Sequence, residues 1–264
     1  MNLSHINKKR PLIIRSNFGD ESIALTQWVF EAKLKATVVY VDTGFAASSW
    51  EARIALGQVH AKNCGFPFER IVSKISFEEA VLGRDSFPSV KFQWCTGLLK
   101  GLPFLDWLEL NDSNAEAMIL IAKRRAAALN HEHLPEWIER CEFHNDRTVW
   151  HPMIDVSDED RNALLKRAGF IPLGHRSLEC QPCVNSSKAD CQRLNSPESK
   201  KDKHRLENLQ KEIGIVWIPE TEYNSESKEA VVQSENENNK NKAQEFKFLD
   251  LFYRSCGNHF GCGL

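Results

Sequence analysis

The residues in this 264-residue sequence best equipped for chemistry are its eight cysteines: Cys64, Cys95, Cys141, Cys180, Cys183, Cys191, Cys256 and Cys262. Cys180-Gln181-Pro182-Cys183 is a CxxC turn, stiffened by its proline, in which two thiolates can face one metal ion or cluster. Trp94-Cys95-Thr96 offers a third candidate ligand from far upstream. Iron–sulfur clusters are held by cysteine thiolates, and three or four cysteines also satisfy tetrahedral zinc. Cys64 and Cys141 stand alone in ordinary surroundings and read as small packing groups. Near the C-terminus, Cys256 and Cys262 flank His259. A nearby imidazolium lowers a thiol pKa, so a reactive thiolate is expected there.

Two loops have the composition of anion sites. Leu12–Arg15 reads as a strand running into Ser16-Asn17-Phe18-Gly19-Asp20-Glu21-Ser22, a tight turn that opens a helix. Backbone N–H groups and the positive dipole end at such a helix start attract phosphate or sulfate. Asp42-Thr43-Gly44 closes the next strand, Thr37–Val41, and should lie at the same sheet edge. Ligands of open α/β sheets bind beyond the carboxyl ends of the strands, so the two loops reinforce each other.

The elements that must position these residues alternate between strand and helix. Helices are expected from Ile23 to Leu34 and across Trp50–Lys62, and Ala117–Ala122 reads as a fully buried strand. The pattern predicts an α/β fold with a doubly wound, mostly parallel sheet. Ser157-Asp158-Glu159-Asp160 opens a helix through about Ala168, closed by Gly169 and Pro172. Residues 194–213 are dense in Lys, Glu and Asn and predict an exposed helix. A nucleotide-binding domain with its cysteine segment is expected over residues 1–215. The polar stretch 216–245 reads as a flexible linker, and 246–264 as a cysteine-bearing C-terminal tail that docks.

Composition narrows the function classes. Hydrophobic residues make up 42% and charged residues 27%, as in an average soluble globular protein. A net charge of −2 supplies no global attraction for nucleic acid or an anionic membrane, so an anionic substrate needs a local basic site. No apolar run suggests a signal peptide or a membrane span, and a cytoplasmic location is expected. Without export, metal binding or thiol chemistry accounts for the cysteines better than a disulfide scaffold does.

Several segments together carry a family resemblance. NFGDES at 17–22 resembles the PP-loop of the adenine-nucleotide α-hydrolase fold, whose fuller form is SGGxDS. VYVDTG at 39–44 resembles the strand end of the phosphoadenosine phosphosulfate (PAPS) and adenosine phosphosulfate (APS) reductases. IAKRRAAALN at 121–130 is similar to their strand-then-arginine segment. QWCTGLLKGLP at 93–103 and HRSLECQPCVNSSKAD at 175–190 resemble their two cysteine segments, and CGNH at 256–259 their ECGxH tail. The resemblance covers residues 12–192 and the tail.

The resemblance implies an adenine-nucleotide sulfate bound by Asn17, Phe18, Gly19, Glu21, Ser22, Asp42, Thr43 and Gly44. It implies that Arg124 or Arg125 helps hold the substrate's anionic groups and that Cys256 attacks its sulfur. Thioredoxin or glutaredoxin would then release sulfite. A [4Fe–4S] cluster is also implied, normally held by four thiolates. The family has two adjacent upstream cysteines where this chain has Cys95 between Trp94 and Thr96. Cys191 is therefore expected to join Cys95, Cys180 and Cys183, with zinc as the alternative occupant.

The departures set the choice of reaction. Asn17 and Glu21 replace the Ser and Asp of an ATP-cleaving loop, which favours reductase chemistry. Ser255 stands where the tail motif has Glu. The alternative is an ATP-dependent sulfur transferase thiolating a nucleotide or tRNA through a cluster, and only that reading expects a nucleic-acid partner. A non-catalytic sensor of nucleotide or redox state is a third possibility.

Overall fold

Alternation along three strands decides the architecture. In the computed structural model, which describes residues 10–127 and 133–217, β1 (Leu12–Ser16), β2 (Thr37–Asp42) and β4 (Met118–Ile121) are apolar on both faces. Leu12, Ile14, Val38, Tyr40, Met118 and Leu120 enter one core layer, while Ile13, Val39, Val41, Ile119 and Ile121 enter the other. A strand buried on both sides needs helices above and below it, which is the parallel-sheet arrangement. With β3 (Phe68–Val72), β5 (Trp137–Cys141) and β6 (Arg147–Trp150) the sheet has the order β3-β2-β1-β4-β6-β5. Every pairing is parallel except that of β5 with β6.

Helices α1 (Asp20–Glu31), α2 (Trp50–Asn63) and α6 (Asp158–Arg167) cover the first face through Ile23, Leu25, Val29, Ile54, Leu164 and Leu165. The opposite face is covered by Phe104, Leu105 and Leu108 of α5 (Leu102–Asn111). The fold is therefore doubly wound, as expected. Ser157 caps α6 as its sequence predicts, its Oγ accepting from the Asp160 N–H at 3.0 Å. The helix expected from Ile23 starts earlier, at Asp20, directly from the anion loop.

A third cluster joins Phe45, Phe77 and Trp94 to Leu209. It gathers α3 (Phe77–Arg84), α4 (Trp94–Thr96) and α8 (Lys200–Ile213), the last expected to be an exposed helix. That expectation is corrected in one respect: Leu206, Leu209 and Asp202 are buried. Leu206 and Leu209 lie three residues apart, which puts both on one helix face despite the charge around them. No helix among the described residues is long and apolar enough to cross a membrane. The expected linker and tail, with Cys256, His259 and Cys262, fall at 216–264, of which all but 216 and 217 lie outside the described residues.

Candidate functional site

The first anion loop is built around Asn17. Its Oδ1 accepts from the Gly19 N–H at 2.9 Å and from Ser22 Oγ at 3.0 Å, closing residues 17–19 into a turn. Ser16 Oγ accepts from the Phe18 N–H at 3.1 Å and donates to Ser22 Oγ at 3.1 Å. The loop ends at Gly19, the N-cap of α1, which has no side chain to satisfy the helix's first N–H groups. An anion placed there meets both the amides and the dipole. Gly19 also has little room for a side chain, since a Cβ would stand 3.1 Å from Asn17 Oδ1 and 3.3 Å from Ser177 Cβ.

This loop opens onto a cleft at the point where the winding of the sheet reverses. Strands β2 and β3 lie to one side of β1, and β4, β6 and β5 to the other. The carboxyl ends of β1 and β4 therefore part, leaving the crevice that open α/β sheets use for ligands. Arg15, Ser16, Asn17, Glu21, Ser22 and Lys123 line it, together with Lys100 and Glu179. Lys100 sits on a π turn, Gly97–Gly101, and its Nζ lies 2.8 Å from Glu179, both side chains being nearly inaccessible. Asn17 Nδ2 donates to Glu179 Oε1 at 3.4 Å. Glu179 immediately precedes Cys180, so the anion loop is wired to the CxxC segment.

Of the other expected residues, Phe18, Arg124 and Arg125 stand around the cleft instead of in its wall, while Glu21, in the wall, is ion-paired. Phe18 is 1% exposed and belongs to the core, so its side chain cannot touch a ligand in this arrangement. Glu21 is held by Arg124 at 3.2 Å and Arg161 at 2.9 Å. Arg124 also pairs with Asp158 at 2.7 Å, and this guanidinium holds the Asp158 carboxyl below the usual range. Arg125 turns away to Asp155 and to the Leu134 carbonyl. Of the two arginines, either of which was expected to help hold the substrate's anions, Arg124 thus stays beside the loop through Glu21 while Arg125, opening a short 3-10 turn (Arg125–Ala127), is engaged elsewhere.

The second loop is clamped from outside. Asp42 accepts from the Gly44 N–H at 2.9 Å and pairs with Arg70 at 2.6 Å, and Gly44 takes a φ of +69°. Thr43 is buried, donating to the Glu179 carbonyl at 3.1 Å with Cys180 Sγ 3.6 Å away. Arg205 of α8 donates to the Gly44 carbonyl. Asp202, one turn earlier on α8, accepts from the Ser48 N–H at 3.1 Å and from Ser48 Oγ at 2.6 Å.

The two cysteine segments meet through a reciprocal amide pair. Gln93 Nε2 donates to Asn185 Oδ1, and Asn185 Nδ2 to Gln93 Oε1, both at 3.1 Å. Cys95 and Cys180 are half-buried, Cys183 is buried, and Cys191 lies half-buried on α7 (Lys188–Gln192). Among the described residues, however, no three His, Cys, Asp or Glu side chains form a group able to hold a metal ion. Cys95, Cys180, Cys183 and Cys191 are thus not gathered into one ligand set in this arrangement. Cys64 and Cys141 sit as packing groups. Burial pushes the Cys64 thiol up to about 11 and raises that of Cys141.

Sequence reasoning on the loops missed Arg15, Lys123 and Glu179. Arg15 looked like part of a buried strand, and Glu179 carried no signal beyond its place before Cys180.

No family model matches the chain, and no curated protein matches it significantly. Among solved structures it is similar to a PAPS reductase from Candida auris, determined as a phosphate complex. That match has 14% identity and a TM-score of 0.44, covering 61% of this chain and 74% of the other. An NMN synthetase from Francisella tularensis gives 9% and 0.46 over 78% and 87% of the two chains. An FMN adenylyltransferase from Candida glabrata, in complex with FAD and pyrophosphate, gives 12% and 0.41 over 89% and 76%. At these identities and scores the likeness extends no further than the fold.

Proposed function

We propose that this chain reduces an adenylylated sulfate, APS or PAPS, to sulfite through Cys256. The observation that carries the reading is the crevice between β1 and β4, where the uncapped start of α1 meets Arg15, Lys100 and Lys123. A phosphosulfate is a compact polyanion, and this cleft combines helix-start amides with three basic side chains. The nucleotide would extend from there toward the Asp42-Thr43-Gly44 loop at the end of β2.

The chemistry balances without oxygen or ATP. The Cys256 thiolate attacks the sulfonyl sulfur, an S–S bond forms, and the S–O bond to phosphate breaks with its electron pair leaving on the nucleotide. A dithiol reductant of the thioredoxin or glutaredoxin class then attacks Cys256 Sγ. Sulfite departs with the S–S pair, and the mixed disulfide is resolved by the reductant's second thiol. Backbone amides and basic groups lining the cleft would stabilise the charge gathering on the leaving phosphate.

Glu21 favours this reading over ATP-dependent sulfur transfer. A carboxylate engaged by Arg124 and Arg161 is a poor ligand for the magnesium that a triphosphate brings. A [4Fe–4S] cluster, or zinc, on Cys95, Cys180, Cys183 and Cys191 is a separate proposal. The described cysteines do not form such a site unaided, so no step is routed through it. Iron, sulfide and zinc analysis of anaerobically purified protein tests it.

The test of the reaction uses the full chain without reductant. Incubation with APS or PAPS should leave one sulfonate on Cys256, located by peptide mass, and added thioredoxin should release it as sulfite. Cys256→Ser should abolish both while keeping nucleotide affinity. Full turnover by that variant would refute the reading, and ATP-dependent thiolation activity would put the transferase in its place.

A further inference from the structure

We propose that Gly57 and Phe18 form a lock that sets the shape of the anion loop, with Gly57 acting as a positioning residue from the loop's far side. The lock takes its ligand from the nucleotide reading above, but its geometry stands independently. Phe18 has a φ of +57°, a left-handed conformation that a bulky residue adopts only when its surroundings enforce it. The surroundings here are a fitted seat. The ring lies 5.5 Å from Tyr40 and 5.8 Å from Phe68, and its remaining side faces α2 where Gly57 has no side chain.

The fit leaves no space for any larger residue. A Cβ on Gly57 would fall 2.1 Å from Phe18 Cδ1, 2.4 Å from Cε1 and 2.7 Å from Cγ. Those atoms belong to a ring held in the core, so they cannot swing aside as the tip of a surface side chain would. Glycine within a helix is otherwise unfavourable, and the seat supplies the compensating reason for it.

Arg53 completes the lock from one turn earlier on the same helix face. Its Nε donates to the Phe18 carbonyl at 3.1 Å, and its NH2 group meets Asp20 at 2.9 Å. Asp20 also accepts from the Leu173 N–H at 2.8 Å, joining the loop to the segment that leads to the CxxC turn. The backbone of residues 18–20 is thus gripped by ring, carbonyl and carboxylate together. The direction of the amides at the start of α1 follows from α2, the helix that grows out of the second loop.

A double-mutant cycle on the full chain tests this, using Gly57→Ala, Phe18→Gly and both together. One readout is hydrogen exchange over residues 17–23 without ligand; the other is APS affinity by calorimetry. With Phe18 present, Gly57→Ala should speed exchange and weaken binding by about tenfold. Added to a chain already carrying Phe18→Gly, the same substitution should change either by less than about threefold. Arg53→Met, which loosens the carbonyl grip without filling the seat, should raise the same exchange, and this arm does not depend on the Gly57→Ala variant folding. Equal effects of Gly57→Ala with and without the Phe18 ring, or none with the ring present, would overturn the lock. If wild type binds no APS, the exchange arm still decides the lock, and only the nucleotide reading falls.

Discussion

At the scale of single residues, the Lys100–Glu179 pair is the most demanding feature of the site. Two opposite charges 2.8 Å apart, with side chains 5% and 8% exposed, have given up nearly all their water. Their attraction offsets that loss only while both are present. Lys100→Met should therefore destabilise the protein by about 3–5 kcal/mol, because it strands the Glu179 carboxylate. A Lys100→Met/Glu179→Leu double variant should recover most of that loss. Urea denaturation at neutral pH measures both, and a single variant as stable as wild type would show that water already screens the pair. The pair was not legible in the sequence, since its members lie on separate segments and only the π turn and the Cys180 segment bring them together. The turn that Asn17 and Ser22 close was more legible, because a turn-forming residue and a helix start sit side by side in the chain. Phe18 was misleading, for its place in the motif hid a core side chain whose seat lies on α2.

At the scale of elements, legibility followed burial. The strands β1, β2 and β4 are built on runs of buried apolar residues and were read correctly, whereas β3 (FERIV) and β5 (WIERC) are edge strands with several exposed polar residues. The helical charge pattern of α8 likewise hid a clamp. Asp202 is 5% exposed and holds both the N–H and the hydroxyl of Ser48, just before α2 begins. Asp202→Ala leaves those donors without their acceptor and should cost about 1–3 kcal/mol. It should also weaken nucleotide binding through the freed second loop, while Asp202→Asn, which keeps one acceptor oxygen, should do less of both. Thermal melts and calorimetry on the two variants check this. Equal nucleotide affinity in wild type and Asp202→Ala would mean that α8 only buttresses the fold.

At the scale of the whole molecule, the proposal separates binding from delivery of the thiol. Among the described residues, the three core clusters are assembled and a cleft wall is in place without the tail. Trp217 is itself fixed, stacked on Phe87 at 4.9 Å and donating its indole N–H to the Pro88 carbonyl at 3.1 Å. A chain ending after Trp217 should therefore keep the fold and bind APS or PAPS within about threefold of the full chain. It should form no sulfite, since Cys256 has been removed with the tail. Adding the residue 218–264 peptide in trans should restore little turnover, because a tethered thiol acts at an effective concentration near millimolar and a free one does not. Calorimetry and sulfite assays on the truncated chain decide the point. Sulfite formation without the tail would place the nucleophile among Cys95, Cys180, Cys183 and Cys191. Loss of nucleotide binding along with the tail would mean that residues 218–264 complete the binding site as well as the reaction.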